Sequence, residues 1–297
     1  MFITEDVQPG DRVYLVSGGL SHFVAQTLID KGVEVGIIQA SKLPTRSKRL
    51  TLKTLKRIIE EHPEVINLWY PYEREAFKVR NLLREWERLL ETRKALSNRL
   101  INEYYAQFLA SPKKHFRKTP AEAKKSAQRY RDANPNYQAI SKAEQKVKRL
   151  LIETVKELDL YQEVFEPLDG CGPLIAARII AYTRNIRRFK SKWAYAKYCG
   201  FGLIEKNGKR RKQYRRKGET TDRHTKLYYT IRYLWIEQQL RQFKRGNLAQ
   251  ILIDRIRYEM EKGNDRPGTA TGRAIWWLGK NICFTIYSRW RKYEGLY

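Results

Sequence analysis

Hydrophobic and polar positions follow two different periods along the chain. From Arg12 the run RVYLVSGG is rich in β-branched and aromatic residues and ends in two glycines. LSHFVAQTLIDKG follows, with Leu20, Phe23, Val24, Thr27 and Leu28 at helical spacing and Gly32 as a stop signal. VEVGIIQA is β-rich again. Residues 12–43 are therefore expected to form strand, helix and strand, a right-handed βαβ unit with a parallel sheet. LTLKTLKRIIEEH reads as a further helix, and Trp69–Pro71 as a break in the pattern.

From Glu73 to about Leu109 the apolar positions Leu82, Trp86, Leu89, Leu96 and Leu100 keep three-four spacing, and Arg93 is the one polar entry in that seam. At about 1.5 Å per residue such a helix is longer than about 50 Å. The stretch ASPKKHFRKTPAEAKKSAQRYRDANPN is expected to be a mobile basic loop. A second amphipathic helix is expected from about Tyr137 to Leu160, with Ile140, Ala143, Val147, Leu150, Leu151, Thr154 and Leu158 on one side. Two such helices flanking a loop make an antiparallel coiled-coil arm, a hairpin suited to dimerisation, or an ordinary helical core. The remainder reads as helices with a basic interruption: one starting at about Pro173, one from about Thr221 to Gln242, a helix and loop, and one from about Thr271 to Tyr293. The fold class expected is α+β, mostly α, in three parts: an α/β region (1–72), an arm with a basic loop (73–162) and a helical nucleic-acid-binding domain (163–297).

Charge narrows the partners. The 297 residues carry 60 Lys+Arg against 32 Asp+Glu, a formal net charge of +28, and the excess is not confined to one tail. Such a chain repels itself unless an anion covers it, and nucleic acid is the economical anion. No segment approaches the uncharged apolar length of a membrane span, so no membrane partner is expected. The three cysteines, Cys171, Cys199 and Cys283, are odd in number and widely spaced in apolar stretches, as buried thiols in a reducing compartment would be. A cytoplasmic location is expected, at the nucleoid where DNA is bound. The four histidines form no metal-ligand spacing with the cysteines.

Three features are candidates for nucleic-acid binding. In Leu168-Asp169-Gly170-Cys171-Gly172-Pro173, Gly170 and Gly172 have the spacing of a helix-hairpin-helix turn, which brings backbone N–H groups to a phosphate ahead of a helix N-terminus. The same glycines also suit a plain turn between packed helices. Arg187, Arg188 and Lys190 follow on the next basic segment. Lys206, Lys209, Arg210, Arg211, Lys212, Arg215, Arg216 and Lys217 put eight cations into twelve positions, with Asn207-Gly208 as a hairpin turn. Arginine in such a run suits bidentate phosphate contact. Aromatic residues are frequent in the C-terminal third, most of them expected in the core and some available to stack on unpaired bases. No Ser/His/acid arrangement is recognisable. Asp11, Asp30, Glu34, Glu60, Glu61 and Glu64 do not make a convincing metal site from sequence.

The order of parts, with WYPYEREAFKVRNLLREWERLLETRKALSNRL and then LDGCGPLIAARIIAYTRNIRRFKSKWAYAKYCGFG ahead of GKRR, resembles the Piv-like DEDD transposases. These form the bridge-RNA-guided insertion-sequence family of the IS110 type. The resemblance runs from about Arg12 to Tyr293 and is most specific over Leu168–Arg211. It implies the later part of a RuvC-like domain at residues 12–70 and a transposase domain at the C-terminal end.

The family's metal-binding acids and its DNA-joining Ser do not carry over. The first Asp belongs to a strand ahead of Arg12. The Glu position, shortly before Gly18-Gly19, falls near Leu15. The two Asp positions fall on Lys48 and Thr51 of Arg46-Ser47-Lys48-Arg49-Leu50-Thr51, and Gly200–Arg216 contains no Ser. The chain thus resembles a truncated, degenerate member with no catalytic residues and no cofactor. It is expected to bind structured RNA, double-stranded DNA or both, and to form a homo-oligomer through the arm. The alternative is an active RNA-guided recombinase, using magnesium and acids supplied by a partner chain or other residues. A scaffold that meets an acidic protein is a third class.

Overall fold

The computed structural model describes residues 7–18, 21–38, 51–62, 66–69, 72–110, 119–206, 209–212, 222–242, 247–263 and 267–296. They are mostly helical, with a three-stranded and a two-stranded sheet. Two compact units emerge, Met1–Phe77 and Lys78–Tyr297. The expected arm and C-terminal segment share the second.

In the first unit, strand β1 (Arg12–Val16), helix α1 (Ser21–Asp30) and strand β2 (Glu34–Ile38) form the expected β-α-β, and β1 pairs parallel to β2. Alternation along the strands sorts side chains to two faces. Val13, Leu15, Val35 and Ile37 pack with Ala25 and Leu28 of α1. Tyr14 and Ile38 pack with Leu55, Ile58 and Ile59 of helix α2 (Leu52–Glu61). Gly36 lies opposite Tyr14, and a Cβ there would sit 2.6 Å from the tyrosine ring. A strand β3 (Ile66–Trp69) pairs antiparallel to β2, in a stretch given no element by the sequence reading just ahead of the break at Trp69–Pro71. At four residues it is too short for alternation to register.

Helix α3 (Tyr72–Ala110) is the long helix expected. The basic stretch after it is corrected in part. Residues 111–118 lie outside the described residues, but 120–133 form helix α4 (Pro120–Ala133) rather than a mobile loop. Thr119 and Glu122 make a reciprocal capping box and Pro120 opens the first turn, so the start signal is local. Ala123 and Ala127 are buried and hold the helix down.

Helix α5 (Pro135–Lys156) follows after the Asn134 cap. Along it and just past its end, Tyr137, Glu144, Leu151 and Leu158 are buried, each seven residues from the next. Leu150, placed on the apolar side by sequence, is instead exposed. On α3 the buried Val79, Trp86 and Leu100 have the same spacing, with half-buried Arg93 completing it. Arg93 is explained by its partner: the guanidinium bonds to Glu144, and its Nη1 donates to the Tyr137 hydroxyl at 3.2 Å. Further along α3, Ser97 meets Arg131 and Tyr104 meets Tyr130. As numbers rise along α3 they fall along its partner, so the two sides run antiparallel.

The rest of the second unit surrounds helix α6 (Pro173–Thr183). Its Ala176, Ala177, Ile179, Ile180, Ala181, Tyr182 and Thr183 are all buried, as expected of a helix apolar on nearly every side. A π-helical turn (Tyr161–Phe165) leads in from α5, and a short 3₁₀ turn (Ile186–Arg188) leads to helix α7 (Lys192–Tyr198). Strands β4 (Leu203–Lys206) and β5 (Lys209–Lys212) come next. Helix α8 (Asp222–Tyr229), a π-helical stretch (Thr230–Ile236) and helix α9 (Glu237–Gln242) fill the span read as one helix, and α10 (Asn247–Glu261) and α11 (Pro267–Tyr293) complete the unit. Trp235, Trp290, Tyr195 and Phe165 are among the largest fully buried side chains. The three cysteines are free and buried, as expected.

One carboxylate ties α3 to this body. Glu87 accepts from Arg178 of α6 at 3.0 Å, from the Tyr182 hydroxyl at 2.7 Å and from Lys226 of α8 at 3.2 Å. Arg178 is also stacked over the Trp86 ring. Removing one partner of a buried ion pair leaves an uncompensated charge, which costs about 3–5 kcal/mol. Glu87→Gln is therefore expected to lower the stability of the second unit by about 3 kcal/mol, measured by denaturant unfolding. Burial, and then the bond to Glu87, push the Tyr182 phenol up to about 12 from an ordinary value of 10.0. The folded state thus favours the protonated phenol. Its contribution is complete below pH 10 and is lost as the pH rises from about 10 to about 12. Thermal unfolding across that range should show the loss, and Tyr182→Phe should reduce it.

Candidate nucleic-acid interface

The glycine turn ahead of α6 is anchored on one side and open on the other. Gly170 has φ +74, a left-handed conformation that side chains resist, and a Cβ there would also lie 2.4 Å from Gln239 Nε2. Trp235 Nε1 donates to the Asp169 carbonyl at 2.9 Å. The Asp169 carboxylate accepts from the Leu248 N–H at 3.0 Å, at the start of α10. The close approach at Gly170 is therefore to the protein's own α9. Gly172 is the open position: it is exposed, caps α6, and a Cβ there would meet nothing within 4 Å. Both glycines are exposed, and Gly172 is the one with open space over its Cα, beside the α6 N-terminus.

The far end of α6 carries the second candidate group. Eleven helical residues separate the two ends, about 16 Å at 1.5 Å per residue. Gly170–Pro173 and Arg187–Lys190 are therefore not one point of contact. The exit from α6 is strained: Arg184 has φ 65 and ψ −74, and the Asn185 N–H donates to the Thr183 carbonyl at 2.9 Å around it. This is a γ-turn of the rare kind. The Asn185 side chain then accepts from the Arg187 N–H at 2.8 Å and sets up the 3₁₀ turn.

Within that turn the three predicted cations have different surroundings. Arg187 is turned inward. Its Nε bonds to Glu294 at 2.6 Å and its Nη2 to the Glu294 carbonyl at 3.0 Å. The Glu294 side chain is 1% exposed and also accepts from Trp290 Nε1. Arg188 is exposed and lies over the rings of Phe189 and Tyr198, 4.6 and 4.4 Å from their centroids. Lys190 is exposed. Sequence reading did not single out Lys192 and Lys197, which α7 places on its exposed side. Their spacing along a short helix otherwise buried at Tyr195 and Ala196 was the available signal.

The third group falls on the two-stranded sheet. Its register sets Lys206 opposite Lys209, Glu205 opposite Arg210, Ile204 opposite Arg211 and Leu203 opposite Lys212. Five of these eight paired positions are basic and one is acidic. The register leaves two positions between the strands, as the Asn207-Gly208 reading expects, although both residues lie outside the described ones. Arg215, Arg216 and Lys217 also lie outside them.

The positions where a metal site would be carried over do not suit a divalent cation. Leu15 packs in the apolar cluster under α1. Thr51 caps α2, its hydroxyl accepting from the Thr54 N–H at 3.3 Å. Among the described residues no group of three His, Cys, Asp or Glu is placed to hold a metal ion. No helix among them is long and apolar enough to cross a membrane.

Residues 162–227 match the model of the Transposase IS116/IS110/IS902 family. Over that stretch the protein is similar to transposases of the IS110 type. That match ties it to insertion sequences and to nucleic acid. Among curated proteins none matches the chain. The matched stretch begins in the π-helical turn, contains the glycine turn, α6, α7 and the hairpin, and ends in α8. All of the sequence-predicted binding residues, from Gly170 to Lys217, lie inside it.

The different settings of two neighbouring arginines give a prediction. Arg187→Ala leaves Glu294 buried without its cation and is expected to cost about 3 kcal/mol or more of stability. Arg188→Ala removes an exposed cation and is expected to leave thermal unfolding nearly unchanged while weakening nucleic-acid binding. Thermal melts and binding curves of the two variants check this, and equal effects on stability would contradict it.

Proposed function

We propose that this transposase-like protein is a nucleic-acid-binding protein without transposase chemistry of its own. It binds structured RNA, double-stranded DNA or both through Gly172, Arg188, Lys190 and the basic run Lys206–Lys217. The observation that carries this reading is that the glycine turn, the exposed cations after α6 and the basic hairpin all fall in the stretch that matches the transposase family. The net charge of +28 supplies the long-range attraction. Contacts of this kind fix a backbone without reading its bases. The seven-residue spacing of buried positions on α3 and α5 supports a coiled-coil arm, which would clamp the ligand or join two copies. Leu15 and Thr51, engaged in core and cap, support the loss of metal chemistry.

A second reading rests on the sheet of the first unit. Among the described residues its order β1-β2-β3 leaves β1 at an edge. An edge strand accepts another by main-chain pairing, so this reading has a partner chain supply strands and the metal-binding acids of a magnesium-dependent recombinase.

The direct test is to sequence the nucleic acid that co-purifies with the untagged protein at moderate salt. One defined structured RNA supports guided binding, and a mixture without preference supports a general phosphate surface. No bound nucleic acid at any salt contradicts the proposal. Replacing Arg210, Arg211, Arg215 and Arg216 together by Ala is expected to weaken binding by about a hundred-fold or more. It should also flatten the dependence of log K on log salt by about 0.9 for each phosphate no longer neutralised. Unchanged affinity would remove the basic run from the interface.

A further inference from the structure

Trp193 stands apart from the other tryptophans whose side chains are described. Trp235 and Trp290 are fully buried, Trp86 and Trp276 are nearly so, Trp277 is partly buried, and Trp193 is 50% exposed. Leaving so large an apolar ring half in water is unfavourable, and simple packing would cover it. The ring is nevertheless well held. Ser191 caps α7 immediately before it, its hydroxyl accepting from the Ala194 N–H. Phe284 of α11 meets the indole edge-on, with centroids 4.7 Å apart and planes at 76°. The two rings form a corner, one wall from each helix.

Two lysines lie over these rings. Lys192 Nζ lies 5.2 Å from the Phe284 centroid. Lys280 Nζ lies 5.5 Å from the Trp193 centroid and 5.7 Å from that of Phe284. Neither lysine forms an ion pair among the described residues. On α11 Trp276, Lys280 and Phe284 follow at four-residue intervals, so one helix face carries them together. Lys280 titrates below its ordinary value, through burial first and the nearby Arg255 charge second, so further positive potential surrounds it. Arg255 itself is layered on Tyr258 and Trp277.

We propose that Trp193 and Phe284 form a stacking platform for an unpaired nucleobase, and that Lys192 and Lys280 contact the phosphates on either side of it. The inference rests on the nucleic-acid-binding reading above and deepens it. The basic hairpin attracts any phosphate backbone, whereas an exposed ring between lysines favours a strand whose bases are free. Base–aromatic stacking is tolerant of sequence because each base has a π face, and the phosphate contacts add salt dependence. The protein should therefore prefer nucleic acid with a single-stranded segment over a continuous duplex.

The test uses the full chain and fluorescence polarisation with fluorescein-labelled oligo(dT), oligo(U) and a mixed-sequence DNA duplex. Trp193→Ala is expected to weaken binding of the single strands about ten-fold, within the range for loss of one base stack, and to leave duplex binding unchanged. Trp193→Phe should retain most of the affinity. Quenching of tryptophan emission by the unlabelled single strands should disappear in Trp193→Ala. A loss confined to oligo(U) assigns the platform to RNA, one confined to oligo(dT) assigns it to DNA, and either supports it. Single-strand binding equal to that of the unaltered protein overturns the platform, as does an equal loss on duplex. In both cases duplex binding by the unaltered protein leaves the broader reading in place. Failure of the unaltered protein to bind any of the three probes overturns the broader reading and the platform together. Should Trp193→Ala fail to fold, Lys192→Ala with Lys280→Ala reports instead: a several-fold loss on single strands alone supports the platform, and no change overturns it.

Discussion

Glu87 is the constraint on which the second unit turns. It sits on α3, and its carboxylate holds Arg178 and Tyr182 of α6 and Lys226 of α8. Three helices distant in sequence are thereby fixed to one point. Each cation also has an aromatic ring beside the carboxylate: Arg178 lies over Trp86 and Lys226 over Tyr182. Burial works against the Lys226 ammonium, but the Glu87 charge outweighs it and raises its pKa. The node also connects α3 to the stretch matching the transposase family.

The same logic recurs throughout the unit. Glu144, Glu259 and Glu294 are, with Glu87, carboxylates largely withdrawn from water, and each is met by an arginine: Arg93, Arg255, Arg187 and Arg178. Arginine suits these places because its planar fork is weakly hydrated and binds a carboxylate in fixed geometry. Internal acids thus take up arginines, and the large surplus of cations is left for the surface. On the side of α7 and after α6 that surplus is Arg188, Lys190, Lys192 and Lys197, all exposed. A single polar pair in an apolar seam also sets register. Arg93 and Glu144 satisfy each other only when α3 and α5 are aligned as observed, since a slip would bury each without its partner.

Function follows from how this surplus is distributed. The glycine turn and the Arg188–Lys190 segment stand at opposite ends of α6, and the basic hairpin continues beyond α7. Aromatic rings at α7 and α11 lie among these cations. The first unit contributes a compact sheet covered by α1 and α2, with Leu15 and Thr51 engaged in the structure itself.

Local chemistry made much of this legible from the chain alone. The β-α-β run, the long α3, the start of α6 at Pro173 and the two strands around Asn207-Gly208 are written in short-range periodicity, caps and turn residues. The start of α4 was written there too, in Thr119-Pro120 and Glu122, but the density of Lys and Arg obscured it. β3 was too short to show a period. Other features needed the tertiary structure because they depend on residues far apart in sequence. Arg187 and Arg188 are adjacent and chemically identical, yet one meets Glu294 and the other lies over Tyr198. Gly170 and Gly172 read as one motif, yet Gln239 closes one and solvent faces the other. Trp193 and Trp290 are the same residue type, and packing on α11 leaves one half in water and buries the other. The sequence by itself determined most of the elements and the sign of the charge, because caps, turns and periodicity are local. Packing between distant segments alone decided which cations and rings are exposed.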